Sequence, residues 1–179
     1  MGIIVNHELG FTEVRIRQLE GAVDVFVILE SKITSGGDEK PLHFFNAFKQ
    51  GFLSDIQDKI LYIHLDTIPV SYIQDGWKLE SYLRNYMSTM AISRLKNLRD
   101  DDLFLSFDAD EIPNIEVLTF LKLHNGYNIP IKFNLRWSVF KYYWVHLDGE
   151  RIITSGNSPL SCILNIIIFN IGCLYIPSS

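Results

Sequence analysis

Asp108 and Asp110 are the residues of this chain whose type and spacing point most directly to chemistry. They end the run Leu103-Phe104-Leu105-Ser106-Phe107-Asp108-Ala109-Asp110-Glu111, in which mostly apolar residues lead straight into acids, and Pro113 then closes the stretch. A short apolar run of this kind fills the centre of a parallel sheet. Side chains two apart on an extended segment point the same way, roughly 6.5 Å apart at about 3.3 Å rise per residue. Asp108 and Asp110 are therefore placed to face one small space at the carboxyl end of a buried strand, the end where open α/β sheets bind ligands. Two carboxylates aimed at one space repel unless something positive lies between them, and hard divalent cations take oxygen ligands. The pattern reads as a seat for a metal ion and a diphosphate. An acidic pair alone is a weak signal, because such pairs are often only solvated. The added weight comes from the apolar run before it, the proline after it and the alternating elements around it.

Those elements follow from the spacing of apolar residues. Residues 2–5 read as a first strand, and 8–19 as a helix with Leu9, Val14 (or Phe11), Ile16 and Leu19 on its apolar stripe. Residues 23–29 read as a second strand ending at Glu30-Ser31, 35–38 as a loop, 42–48 as a helix after Pro41, and 60–65 as a third strand. A long amphipathic helix is expected over 77–98, with Leu79, Leu83, Tyr86 or Met87, Met90, Leu95 and Leu98 inward and Arg84 off the stripe. Asp100-Asp101-Asp102 reads as a solvated turn into the strand at 103–107. A further helix covers 115–123, and 131–145 is rich in β-formers, Trp137, Tyr142, Tyr143 and Trp144 among them, whose rings read as core. Alternation of strand and helix predicts an α/β domain with a mostly parallel central sheet, Rossmann-like, over 1–155.

The totals fit that reading. The chain has 179 residues, a net charge of −5 and no basic block, which argues against a nucleic-acid binder. Cys162 and Cys173 both lie in the tail, so the body has no disulfide framework. No signal peptide is expected at the start, where polar residues soon follow Val5. Residues 156–179 differ in character: 160–176 are almost all apolar, near the lower limit of about 17–25 residues for a membrane span, but rich in isoleucine. An apolar tail that does not suit the domain is the preferred reading over a span.

Six colinear segments carry a resemblance. Asn6-His7-Glu8-Leu9, the run from Val23 to Ser31, Gln74-Asp75-Gly76-Trp77, Tyr82-Leu83-Arg84, the run from Ser93 to Arg99, and Asp108-Ala109-Asp110-Glu111-Ile112-Pro113 occur in one order. Together they resemble glycosyltransferase family 17, the enzymes that add the bisecting GlcNAc to N-glycans, over about residues 3–155. The resemblance implies a GT-A-type fold, UDP-GlcNAc as donor and a divalent cation, Mn²⁺ or else Mg²⁺. The implied reaction is inverting β-1,4 transfer to the core β-mannose of an N-glycan. It implies Asp110 as metal ligand, with Asp108 facing the ribose or a metal-bound water and sharing the metal site. It also implies a Golgi, lumenal setting reached through a membrane anchor that this sequence does not show. Family members continue well past the point where this chain turns apolar, so the sheet is expected to be incomplete at its C-terminal end. The acceptor contacts and the catalytic base are expected from that missing half, since Asp148 and Glu150 carry no mark of a base.

Other residues bear on the same site. Glu30, at the end of the second strand, is a candidate contact for the uracil ring or a surface carboxylate. Arg84 is placed to reach a phosphate or to be solvated, and Asp75 to cap the helix that follows it. Glu111 either supports the metal from behind or faces solvent. His7, His43, His64, His124 and His146 share no spacing that suggests a metal site. The competing reading is a non-catalytic remnant that binds UDP-sugar and metal or does not fold stably. A phosphatase of the haloacid dehalogenase type fits poorly, because its acidic pair belongs on the first strand.

Overall fold

Strands β1 (Gly2–Val5), β2 (Phe26–Ser31) and β3 (Ile60–Leu65) hydrogen-bond in parallel, with β2 in the middle. The computed structural model describes residues 1–99, 102–108, 111–124, 126, 131 and 133, and the backbone of 134–139, 144–152 and 169–170. Helices α1 (Leu9–Leu19), α2 (His43–Lys49), α3 (Val70–Ile73), α4 (Gly76–Arg94) and α5 (Ile115–Leu123) alternate with the strands. β4 (Leu103–Phe104) pairs antiparallel with β7 (Phe169–Asn170), and β5 (Asn134–Val139) with β6 (Trp144–Ile152). The expected α/β organisation with a parallel sheet is what the chain adopts.

All six residues of β2 are buried, as a parallel strand covered on both faces must be. Its alternation divides the core in two. Phe26 and Ile28 join Ile3, Ile16, Leu19, Phe44, Leu118 and Leu121, beneath α1, α2 and α5. Val27 and Leu29 join Ile63, Leu65, Leu79, Met87 and Ala91, beneath α4. The sheet therefore lies between two helical layers.

The acid-bearing segment is a fourth neighbour of this sheet. Gly2 pairs in parallel with Ser106, and its N–H donates to the Leu105 carbonyl at 2.7 Å. The order becomes β3-β2-β1 followed by the Ser106 segment, so the chain builds to one side of β1 and later returns on the other. Regular strand hydrogen bonding covers only Leu103–Phe104 of the expected 103–107. Gly2 permits this close approach: a Cβ there would lie 2.4 Å from Met87 Cε and 3.1 Å from Phe104 Cζ. The Met87 terminus can move aside, so Gly2→Ala is expected to cost about 1 kcal/mol, the low end for overpacking. A urea midpoint equal to wild type would contradict this packing.

Several boundaries depart from the sequence reading, each for a local reason. β2 begins at Phe26, because residues 22–23 hydrogen-bond back to Leu19 as the end of α1. α1 buries Thr12, Arg15, Ile16 and Leu19, whereas Phe11 and Val14 are exposed. α4 stops at Arg94, since Leu95 has turned to extended backbone. Its buried face is Leu79, Arg84, Met87 and Ala91, so Arg84 is on the stripe. The 3-10 turn Ser54–Lys59 and the single turn of α3 carry too few residues to show a period. Asp75 does cap α4, accepting from the N–H groups of Trp77 and Lys78 at 3.1 and 3.3 Å.

Among the described residues, four carboxyls are held below their ordinary values. Arg17 does this for Asp55, Lys32 for Asp66, and the N–H of Lys78 for Asp75. At Glu8, burial pulls the other way and is outweighed by N–H donors of its own residue, Asn6 and His7. A depressed folded value contributes stability above the unfolded value and loses it as pH falls through the folded one. Protonation of these carboxyls is therefore expected to lower the melting temperature steadily on acidification below about pH 5. A melting temperature independent of pH down to about 3 would contradict these pairings.

Candidate functional site

The chain changes sides between β1 and the Ser106 segment, and the candidate crevice is the one expected outside the carboxyl ends of these two neighbours. Open parallel sheets bind ligands at such a switch point. Asn6, His7 and Glu8 follow β1 at this edge, and Asp108 follows Ser106 there. Glu8 holds its corner shut, its carboxylate accepting from the N–H groups of Asn6 at 3.2 Å and His7 at 3.1 Å.

Asp108 is the best-anchored acid. Its side chain is 54% exposed, and Oδ1 accepts from Arg84 Nη2. Its carbonyl accepts from Arg15 Nη1 at 2.6 Å and from the Glu111 N–H at 3.1 Å. Its own N–H donates to Glu111 Oε2 at 2.9 Å. Residues 108 and 111 thus close a turn on each other through two hydrogen bonds. Glu111 closes this turn through both its N–H and its carboxylate. Asp110, the other expected metal ligand, lies outside the described residues.

Arg84 is 6% exposed and does not reach outward toward a phosphate. Its Nε and Nη2 donate to Glu80 Oε1 at 3.0 and 2.7 Å, its Nη1 to Ser106 Oγ at 3.2 Å, and its Nη2 also to Asp108. The guanidinium thus ties one oxygen of each carboxylate and the Ser106 hydroxyl together through charge-assisted hydrogen bonds. Arg15 is fully buried, with its guanidinium carbon 5.6 Å from the centre of the Phe107 ring. Sequence reading did not single it out. The signal was there: Ile16 and Leu19 fix the buried stripe of α1, and a 3.6-residue period then puts Thr12 and Arg15 on the same face.

Glu30 also lies inside, with no exposed surface. Its carboxylate accepts from the N–H groups of Phe44 at 2.8 Å and Phe45 at 3.1 Å, and from the Tyr62 hydroxyl at 2.9 Å. It stands where a helix N-terminus needs an acceptor, and Leu42, the residue in the capping position, has no side-chain oxygen to offer. Burial, and then Glu30, push the Tyr62 hydroxyl well above its usual range. Burial also draws the Lys40 amine down, against the opposing pull of Glu30 and then Glu8. Glu30 thus organises the inside of the molecule behind the crevice.

Among the described residues no three His, Cys, Asp or Glu side chains are grouped to hold a metal ion. The donors at the crevice are carboxylate oxygens, which suit a hard cation. A cation that keeps waters and shares its shell with substrate phosphates needs only one or two protein carboxylates. Asp108 fits that limited demand. Of the acidic triplet, Asp102 accepts from the N–H, Nε and Nη2 of Arg99, and the other two acids lie outside the described residues. The side chains of Trp137, Tyr142, Tyr143, Trp144, Asp148 and Glu150 do too, and so does almost all of the 156–179 tail. No described helix is long and apolar enough to cross a membrane.

The sheet order and the braced acidic turn define an open parallel α/β domain with Asp108 at its carboxyl edge. Residues 1–151 match the model of glycosyltransferase family 17. The chain belongs to that family. Over 154 residues, 86% of this chain, it is 42% identical to the human β-1,4-mannosyl-glycoprotein 4-β-N-acetylglucosaminyltransferase and 41% identical to the rat enzyme of that name. The mouse enzyme is 40% identical. The chain spans 29% of the human relative and 28% of the rat and mouse relatives. No solved structure matches it.

Proposed function

We propose that this chain is the donor-binding part of an N-acetylglucosaminyltransferase that acts on N-glycans, with UDP-GlcNAc seated in the crevice between β1 and the Ser106 segment. In this reading the domain is of the GT-A type and the reaction is inverting β-1,4 transfer to the core β-mannose. Asp108, with Asp110 beside it in sequence, would hold a divalent cation, Mn²⁺ or Mg²⁺, which when bound offsets charge on the diphosphate leaving group. The family membership suggests a lumenal Golgi setting. The observation that carries the reading is Asp108 fixed at the carboxyl edge of the sheet, within the span matched to glycosyltransferase family 17.

The residues have distinct parts in this scheme. Asp108 presents an acid in a fixed orientation to the diphosphate side of the ligand. The Asp108–Glu111 turn limits how far that acid can recede, and Glu8 stiffens the opposite lip. Removal of the acceptor's proton needs a base on the face of the sugar opposite the leaving group. That group and the acceptor contacts are assigned to sequence outside the matched segment, because the curated relatives are far longer. Binding without efficient transfer is the expected behaviour of residues 1–179.

A thermal-shift titration tests this. Saturation at a hundredfold the dissociation constant adds about 2.7 kcal/mol, roughly 5–10 °C for a chain of this size. UDP with Mn²⁺ should give that shift, adenosine diphosphate with Mn²⁺ should not, and UDP release on adding a biantennary N-glycan should stay near background. Absence of any shift with UDP and Mn²⁺ would overturn the donor-site reading. Brisk transfer by residues 1–179 would overturn the assignment of the base.

A further inference from the structure

The structure assigns Arg15 and Arg84, with Glu80 behind the latter, as positioning residues that brace the acidic turn from two sides; this rests on the donor-site reading above. The sequence suggested that Asp108 and Asp110 would repel unless a bound cation lay between them. The fold supplies positive charge of its own. Arg84 fixes the carboxylate of Asp108 while also holding Ser106 Oγ and Glu80. Arg15 fixes the main chain of the same residue from within α1, beside the Phe107 ring. The two guanidiniums come from helices in opposite covering layers, so the turn is fastened through both faces of the sheet.

The arrangement has a chemical consequence. A carboxylate that ligates a cation is oriented by the groups that hydrogen-bond it, and losing such a partner typically weakens metal binding by about 10–100-fold. Arg84 donates to Oδ1 of Asp108, and among the described residues Oδ2 has no hydrogen-bond donor. Arg15 acts on the main chain: it donates to the carbonyl that Glu111 also uses, and so sets the shape of the turn. Neither arginine contacts the ligand in this scheme. Both act through Asp108.

The test uses Arg84→Met, Arg84→Lys and Arg15→Met, with Leu118→Ala as a core control away from the turn. Mn²⁺ affinity in the presence of UDP is measured from the electron paramagnetic resonance signal of free Mn²⁺. Arg84→Met should weaken it by about 10–100-fold and Arg84→Lys should recover part of the loss, while Leu118→Ala should leave it within about twofold. Hydrogen exchange at the Glu111 amide gives a readout that needs no ligand. Arg15→Met should speed that exchange at least tenfold more than it speeds core amides of β2. Equal exchange at Glu111 and the core, or equal Mn²⁺ affinity in Arg84→Met and Leu118→Ala, would overturn the brace. Wild-type protein that binds no Mn²⁺ with UDP would overturn the donor-site reading and the cation-orienting role, with the Glu111 exchange still deciding the brace of the turn.

Discussion

Asp108→Ala is expected to reduce Mn²⁺-dependent UDP binding by at least a hundredfold and yet leave a folded protein. The two halves of this expectation have separate grounds. The carboxylate is 54% exposed, and exposed ion pairs contribute little, so its own loss is cheap. Arg84 is nearly buried and would lose one partner, but Glu80 and Ser106 still hold it. Together these suggest a loss of about 1–2 kcal/mol, well under the figure for stranding a buried charge. Binding is more sensitive, because the oxygen offered to the cation disappears entirely. Asp108→Asn separates charge from shape: its amide oxygen keeps the Arg84 hydrogen bond, whereas its charge is gone. If charge at this position matters, Asn should bind nearly as poorly as Ala. Calorimetric titration with UDP at saturating Mn²⁺ measures this, and near wild-type affinity in Asp108→Ala would remove Asp108 from the site. Asp110→Ala should lose binding to the same degree if both acids share the cation.

How much of this was readable beforehand depends on where each element draws its order. β3 and α5 follow their apolar pattern at both ends, because each is a plain run between turn residues. α1 and α4 were placed but not turned correctly. Their buried faces carry Thr12, Arg15 and Arg84, and a pattern of apolar residues cannot count an arginine as core. Arg15 and Arg84 on those inward faces are where the structure brings α1 and α4 to the acidic turn. Local consistency breaks where the fold puts a charge to use. Glu30 shows the converse. Its place at a strand end predicts a contact for the uracil ring or a surface carboxylate, but it is buried, and its partners, Phe44, Phe45 and Tyr62, are 14, 15 and 32 residues away. No local pattern links an acid to a helix start that far along the chain. The register of β2 against β3 and the path to α2 bring them together.

That long-range junction makes Glu30→Ala the substitution expected to cost most in stability. The change removes an acceptor and leaves two backbone N–H groups and a tyrosine hydroxyl without it. One of those N–H bonds is buried and the other two bonds are partly so. Each hydrogen bond to a charged group contributes about 1.5–3 kcal/mol, and stranded donors add a desolvation cost. The three share one acceptor and are not additive, so a total of about 3–5 kcal/mol is expected. For a chain of this size that is roughly 10 °C or more in melting temperature. Phe44 stacks on Tyr62 with ring centres 6.0 Å apart, so loosening the start of α2 also loosens this aromatic cluster. Glu30→Gln keeps the shape and one acceptor oxygen and should cost less than half as much. Tyr62→Phe removes a donor rather than the acceptor and should cost about 1 kcal/mol. The ordering Glu30→Ala, then Glu30→Gln, then Tyr62→Phe in urea denaturation follows from a carboxylate that serves three donors at once. A Glu30→Ala protein melting within about 2 °C of wild type would show that α2 finds its cap elsewhere.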